Sequence, residues 1–186
     1  MRRYIITGAP GAGKTTILGV LRDRGHVVVP EAATDVIARG QAGGSDEPWR
    51  DEDFLDRVAL VQHDQRQEAA AAGVQIFDRS PICTLALARY SDRPVTPFLA
   101  GEVERVIAAE LYQPSVFFVR LLGFVRPSAA RRITYAESVM FERWHEQTYR
   151  EYGFDLIDVP AGPAAQRADL IERHIRADVV PVEAGR

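Results

Sequence analysis

The sequence contains one cysteine among its 186 residues and has no long uninterrupted apolar run. Because a single cysteine excludes an intrachain disulfide, Cys83 indicates a reducing compartment. The longest apolar stretch, residues 116–125, is broken by Arg120, and no signal-peptide pattern precedes the first apolar run. We therefore expect a cytoplasmic protein without a membrane partner.

A strong charge of one sign is also missing. The chain has 23 basic and 26 acidic residues, and the basic ones are scattered rather than clustered. Nucleic acid is therefore not an expected partner. The length and the 46% hydrophobic content suit one buried core but not two ordinary domains. We predict one domain over residues 1–178 and a C-terminal tail over residues 179–186.

Lysine is the scarcest basic residue. Lys14 is the only one, so that 22 of the 23 basic residues are arginines. Lys14 lies inside a phosphate-loop pattern, where a compact ammonium and a planar guanidinium are not equivalent. This position favours a functional reason for keeping the lysine over its survival there by chance.

Apolar runs alternate with helical patterns along the whole chain. Strands are predicted at residues 4–7, 27–29, 74–77, 116–119 and 155–159. Helices are predicted at residues 14–23, 31–39, 51–72, 82–90, 98–112, about 135–152 and 163–175. The second half of the long helix is polar, and we expect it to face solvent. The alternation predicts a three-layer α/β fold with a parallel sheet and helices on both faces.

The segment between the first predicted strand and helix matches G-x-x-x-x-G-K-[ST] at every fixed position. It consists of Gly8, Ala9, Pro10, Gly11, Ala12, Gly13, Lys14 and Thr15. In such a loop the backbone N–H groups converge on phosphate oxygens, and the helix N-terminus adds partial positive charge. The full match in this context disfavours a glycine-rich turn without a ligand.

These residues predict a site for ATP, or another nucleoside triphosphate, with Mg²⁺. Lys14 is expected to reach the β and γ phosphates, and the Thr15 hydroxyl to bind the metal. Thr16 belongs to the nucleotide-binding segment, although it more simply extends the helix. Asp78, which follows the apolar run 74–77, is the second residue predicted to bind the magnesium ion. The alternative for Asp78 is a strand-end aspartate that caps the turn before Pro81.

Two further absences narrow the reaction type. Asp78 is followed by Arg79 rather than by glutamate, which disfavours a motor that activates water with an adjacent carboxylate. The guanine-reading N-K-x-D signature needs a lysine, and the only one is already in the phosphate loop. A Ras-like switch is therefore disfavoured.

Three segments carry a more specific resemblance: residues 29–31 (Val-Pro-Glu), residues 77–81 (Phe-Asp-Arg-Ser-Pro) and an arginine-bearing stretch before a long helix. With the phosphate loop, they resemble the deoxynucleoside-kinase and ribosylnicotinamide-kinase branch of the P-loop kinases. The chain is most similar to small AAA-type ATPase/kinase proteins related to the kinase domain of NAD-biosynthesis regulators. The resemblance covers residues 4 to about 175. It implies the strand order 2-3-1-4-5 and a lid around residues 123–135.

The resemblance also implies residue roles. In similar kinases a carboxylate just after the second strand accepts the proton of the substrate hydroxyl, and Glu31 stands there. Asp35 lies one helical turn further along and is the alternative base or a substrate ligand. The competing interpretation is that Glu31 only favours a helix N-terminus and that Asp35 pairs with Arg39.

Arginines are the remaining catalytic candidates. Arg79 corresponds to an arginine that steadies the phosphate or substrate in similar kinases, with a structural salt bridge as the alternative. Arg126, Arg131 and Arg132 lie where a kinase lid closes, and the last two are the better candidates for stabilising phosphoryl charge. A solvated basic loop is the alternative for all three.

Two other groups of residues have competing interpretations. Trp49 and Gln62 resemble an aromatic and amide pair of the acceptor pocket in deoxynucleoside kinases, but core packing for Trp49 and a solvated helix face for Gln62 are favoured. The four histidines are far apart and show no metal-ligand spacing, so surface positions are expected for them.

The sequence thus predicts an ATP-dependent kinase for a small hydroxyl-bearing metabolite, of which a nucleoside is one example. The alternative is a nucleotide-binding regulatory ATPase or GTPase switch with a protein partner. Neither the base preference nor the oligomeric state follows from the sequence.

Overall fold

A computed structural model describes residues 1–69, 73–123 and 133–179. Five strands form one parallel sheet: β1 (Arg2–Thr7), β2 (Val27–Val29), β3 (Val74–Asp78), β4 (Ser115–Val119) and β5 (Asp155–Val159). Their order is β2-β3-β1-β4-β5, which confirms the predicted order and the predicted α/β fold.

The helices of the described segments follow the predicted alternation. They are α1 (Lys14–Asp23), α2 (Ala32–Ala42), α3 (Phe54–Glu68), α4 (Pro81–Tyr90), α5 (Pro97–Ala108), α6 (Tyr135–Glu151) and α7 (Ala164–Val179). A short 3-10 helix, Pro48–Arg50, precedes α3. Within these segments no helix combines the length and the apolar character needed to cross a bilayer.

The predicted helix over residues 51–72 was too long at its start. The backbone of Asp51 is extended, with φ −60° and ψ 142°, and the guanidinium of Arg93 donates to the backbone carbonyls of Trp49 and Asp51. Helix α3 therefore begins only at Phe54 and ends at Glu68. Residues 70–72 of the predicted helix lie outside the described residues.

Side chains of the central strand alternate between the two faces of the sheet. Tyr4 and Ile6 belong to the apolar cluster beneath α1 and α7, whereas Ile5 belongs to the cluster beneath α2 to α6. All three side chains are fully buried. The period of two along β1 thus builds a three-layer core, with the sheet in the middle.

The carboxyl ends of the first three strands meet at one edge of the sheet. Ile6 of β1 pairs with Asp78 of β3, and Val29 of β2 pairs with Phe77 of β3. The loops that follow these strands therefore lie side by side, as expected for a parallel α/β sheet. This edge brings the phosphate-loop pattern next to the residues that follow β2 and β3.

Candidate active site

Three glycines of the loop between β1 and α1 have positive φ angles: 137° at Gly8, 87° at Gly11 and 88° at Gly13. Side chains rarely adopt these conformations. A Cβ on Gly8 would also lie 2.3 Å from the carbonyl oxygen of Val119 in β4. The loop can therefore run this close to β4 only with glycine at position 8.

Lys14 is buried at the start of α1. Its Nζ donates to the carbonyl oxygens of Gly8, at 2.9 Å, and Ala9, at 3.2 Å. Burial and then the positive charge of Arg79 lower the pKa of Lys14 from 10.5 to about 8. The loop thus encloses a desolvated ammonium, which suits contact with phosphate oxygens.

Arg167 of α7 supports the loop from behind. Its guanidinium donates to the carbonyl oxygens of Ala12 (2.7 Å), Arg120 (2.8 Å) and Val159 (3.3 Å), and the side chain is almost fully buried. The sequence interpretation missed this residue. Its burial could have been predicted from its position four residues before the apolar Ile171. This spacing places the arginine on the apolar face of the last helix.

Glu31 and Arg79 form an ion pair between the ends of β2 and β3. The Arg79 Nε donates to Glu31 Oε1 at 2.5 Å, and the Thr34 hydroxyl donates to Oε2 at 3.2 Å. Burial alone would raise the pKa of Glu31, but the positive charges of Arg79 and Lys14 outweigh it and lower the pKa to about 2. Glu31 is therefore an ionised carboxylate at neutral pH.

Arg79 is held from several sides. Its φ of 78° is unusual for a residue with a side chain, and its backbone N–H donates to the Ile6 carbonyl. Its NH1 lies 3.2 Å from Nε2 of His145, and its guanidinium carbon lies 5.9 Å from the centre of the Phe141 ring. Both the pairing with Glu31 and a phosphate-directed role are consistent with this position.

The prediction of surface positions for the histidines was wrong for His145. This side chain of α6 is 0% exposed, because Arg79 and Phe141 cover it. Burial and then the charge of Arg79 lower the pKa of His145 well below its usual value. The burial of His145 could not be predicted from its neighbours in sequence, since 66 residues separate it from Arg79.

Asp78 and Thr15 are the two residues predicted to bind Mg²⁺, and each carries a side-chain oxygen. Asp78 is 7% exposed at the end of β3, and its charge acts on the nearby Lys14. Thr15 is exposed in the first turn of α1. One carboxylate and one hydroxyl fit a Mg²⁺ ion that takes its other ligands from phosphates and water. The described residues contain no cluster of three or more His, Cys, Asp or Glu side chains that could hold a metal alone.

A cavity of about 610 Å³ opens beside the phosphate loop. Pro10 of the loop, Glu31 and Arg79 are among the residues that line it. Its walls are mainly apolar and include Trp49, Phe54, Val58, Leu87 and Phe141. A mostly apolar cavity with a few convergent polar groups is typical of a small-molecule site.

Gln62 lies in this cavity, so its predicted solvated position was wrong. The side chain is 6% exposed, and Thr84 of α4 donates to its Oε1 at 3.0 Å. Arg66, one turn later, is 1% exposed and pairs with Glu102 of α5. One face of the second half of α3 is therefore covered by α4 and α5, whereas Asp64, Gln67 and Glu68 are exposed, as predicted.

The other predicted site residues have different positions. Asp35 is half-buried one turn along α2, and the described residues that line the cavity include Glu31 but not Asp35. Thr16 is exposed on α1. Trp49 both lines the cavity and packs against the apolar core. Arg126, Arg131 and Arg132 lie outside the described residues.

Comparison with known proteins gives a family and a fold. The AAA domain family matches residues 3–167. A comparison with curated protein sequences found no significant match. Deoxyadenosine kinase from M. mycoides, solved with the products dCMP and a flexible dCDP bound, has a TM-score of 0.62 and 17% identity. That alignment covers 94% of this chain and 99% of the kinase.

The NadR protein is similar as well. Its complex with NAD and AMP-PNP has a TM-score of 0.70 and 16% identity, over 100% of this chain and 51% of NadR. Its complex with NR has a TM-score of 0.68 and 16% identity, over 100% of this chain and 52% of NadR. This chain therefore spans about half the length of NadR. These likenesses confirm the predicted resemblance to P-loop kinases at the level of the fold.

Proposed function

Because this chain belongs to the AAA domain family, we propose that it is an ATP-dependent phosphotransferase that phosphorylates a hydroxyl group of a small metabolite. One observation carries the proposal: Glu31 and Arg79 line the same cavity as Pro10 of the phosphate loop, and the charges of both act on Lys14. An acceptor in the cavity would lie next to both a carboxylate and the loop expected to hold the triphosphate. Proximity of this kind is the main requirement of phosphoryl transfer.

A nucleoside-like acceptor is the more specific form of the proposal. The solved relatives support it, since one is a deoxyadenosine kinase and NadR was solved with NR and with AMP-PNP. The volume of about 610 Å³ also suits a small molecule of this class. At 16–17% identity the relatives share the fold, so the acceptor itself has to be identified by experiment.

In the proposed mechanism, separate groups of residues bind the triphosphate, the metal and the acceptor hydroxyl. The backbone of residues 8–15 and the Lys14 ammonium would bind the triphosphate, and Thr15 and Asp78 would hold Mg²⁺, which would neutralise phosphate charge. Glu31 accepts a hydrogen bond from the acceptor hydroxyl and thereby orients its oxygen towards the γ-phosphorus. Asp35 is the alternative for this role.

During transfer a bond forms between the acceptor oxygen and the γ-phosphorus while the bond from that phosphorus to the β–γ bridging oxygen breaks. ADP leaves with the bonding electrons, and the hydroxyl proton passes to the carboxylate. A carboxylate whose pKa is about 2 is a weak base. Orientation is therefore its larger contribution, and proton transfer follows late in a loose transition state. Arg79, with Arg131 and Arg132, is proposed to stabilise the charge on the phosphoryl oxygens.

The test is ADP formation from Mg·ATP, alone and with pools of hydroxyl metabolites that include nucleosides and ribosylnicotinamide. We expect acceptor-stimulated ADP formation that falls at least about 100-fold in Lys14→Ala and Glu31→Gln. Glu104→Gln is the matched control, because it removes an exposed carboxylate of α5 outside the cavity. Its rate should equal that of the unmodified protein.

The opposite result would point to the regulatory alternative. Tight nucleotide binding that depends on Lys14, without any acceptor-stimulated turnover, is the behaviour of a nucleotide-dependent switch. Stimulated turnover that is indifferent to Glu31 would instead remove this residue, but not the phosphotransferase activity, from the proposal.

A further inference from the structure

The hydrogen bonds of His145 determine which ring nitrogen carries the proton. Its Nδ1 lies 3.0 Å from the carbonyl oxygen of Phe141, and a carbonyl only accepts, so Nδ1 is the donor. Its Nε2 lies 3.2 Å from NH1 of Arg79, and a guanidinium only donates, so Nε2 is the acceptor. The two contacts together require a neutral imidazole with its proton on Nδ1.

The Arg79 guanidinium is thus held by two acceptors on different elements. Glu31, at the start of α2, accepts from Nε, and His145 of α6 accepts from NH1. The side chain of Arg79 is 11% exposed, so an N–H without an acceptor there would be costly. Phe141 leaves His145 little freedom to turn, since the two ring centroids are only 4.2 Å apart.

We propose that His145 is a positioning residue, whose unprotonated Nε2 fixes the Arg79 guanidinium in the orientation that pairs with Glu31. The contact directs NH1 towards α6 and leaves Nε facing the Glu31 carboxylate. A helix distant in sequence thereby sets the geometry of two residues that line the cavity. The effect on turnover rests on the proposed function, whereas the orientation of Arg79 does not.

Three substitutions separate positioning from packing. His145→Gln retains an oxygen that can accept from Arg79, whereas His145→Leu fills the space without an acceptor. Thr148→Val is the matched control: Thr148 is also fully buried on α6 and accepts a hydrogen bond from an arginine, Arg89, away from the cavity. All variants are first compared by their melting temperatures, so that loss of folding is recognised.

Nitrogen-15 NMR tests the proposal without any assumption about activity. In the unmodified protein we expect a His145 ring with a proton on Nδ1 and none on Nε2. We expect the Arg79 Nε–H signal to be retained in His145→Gln and Thr148→Val, and to shift or broaden by exchange in His145→Leu. A proton on Nε2, or an unchanged Arg79 signal in a folded His145→Leu, would overturn the proposal.

Kinetic measurements then test whether the orientation of Arg79 affects turnover. If the unmodified protein shows acceptor-stimulated turnover, His145→Leu should lower kcat roughly 10–100-fold, with the KM for ATP unchanged. His145→Gln should recover kcat to within about threefold of the unmodified protein. Equal kcat in the Gln and Leu variants would refute the positioning role. No turnover in the unmodified protein would refute the proposed function instead, and the NMR result would still decide the role of His145.

Discussion

The Nε atom of Arg79 lies 2.5 Å from Oε1 of Glu31, and this ion pair joins the end of β3 to the start of α2 beside the phosphate loop. The exposed fractions of the two side chains are only 11% and 23%. Removing one member of such a pair leaves the other charge partly desolvated. The pair should therefore influence both the stability of the protein and the geometry of the proposed site.

The first prediction concerns stability in acid. The folded protein lowers the pKa of Glu31 from 4.5 to about 2, so the ionised group stabilises the fold above pH 4.5. This stabilisation, about 3 kcal/mol, should disappear as the pH falls from 4.5 towards 2. Urea unfolding of the unmodified protein and of Glu31→Gln at several pH values measures the difference. Parallel pH profiles for the two proteins would contradict the assignment.

The second prediction concerns nucleotide binding in alkali. The pKa of Lys14 is lowered to about 8, so above this pH the free protein loses the positive charge that phosphate requires. Triphosphate binding should restore the proton, and the affinity for AMP-PNP should fall by up to about tenfold per pH unit above pH 8. Calorimetry at pH 7.5 and 9.5 in buffers of different ionisation enthalpy would detect the proton uptake. Lys14→Ala should bind weakly at both pH values without uptake.

The third prediction compares two glycines near the start of the chain. A Cβ on Gly8 would approach the Val119 carbonyl oxygen to 2.3 Å, whereas a Cβ on Gly19 in α1 meets nothing within 4 Å. Gly8→Ala should therefore lower the free energy of unfolding by about 2 kcal/mol or more, and should weaken nucleotide binding. Gly19→Ala should raise it by about 0.5–1 kcal/mol. Thermal and urea unfolding of both variants check this contrast.

Much of the fold could be predicted because it depends on local patterns. The bounds of α1, β2 and β5 follow directly from glycine breaks and apolar runs, and the observed helix and strands match the predicted ones. The phosphate loop is equally local. Its residues are contiguous, and its spacing reflects the path of one backbone segment around a phosphate.

The rest of the site could not be predicted in this way, because it depends on contacts between distant segments. His145 and Arg167 are polar residues of long amphipathic helices, and only the packed structure shows which face is buried. Gln62 was misassigned for the same reason, since its partner Thr84 lies on another helix. Periodicity identifies an apolar face, but it does not reveal a buried polar group whose partner comes from elsewhere.

The last prediction tests whether Arg167 maintains the shape of the phosphate loop. Its guanidinium is the buried donor to the carbonyls of Ala12, Arg120 and Val159, and burial lowers its pKa. Arg167→Met keeps much of the side-chain volume but leaves these carbonyls without this donor. We expect the free energy of unfolding to fall by about 2–4 kcal/mol.

The nucleotide affinity of Arg167→Met should fall as well. The Ala12 carbonyl belongs to the loop whose N–H groups are expected to surround the phosphates. Arg173→Met is the matched control, since Arg173 lies on the same helix and is exposed. Its stability and affinity should stay within about 0.5 kcal/mol of the unmodified protein. If Arg167→Met loses stability but binds AMP-PNP as tightly as the control, then Arg167 serves the packing of α7 against the sheet and the phosphate loop keeps its shape without it.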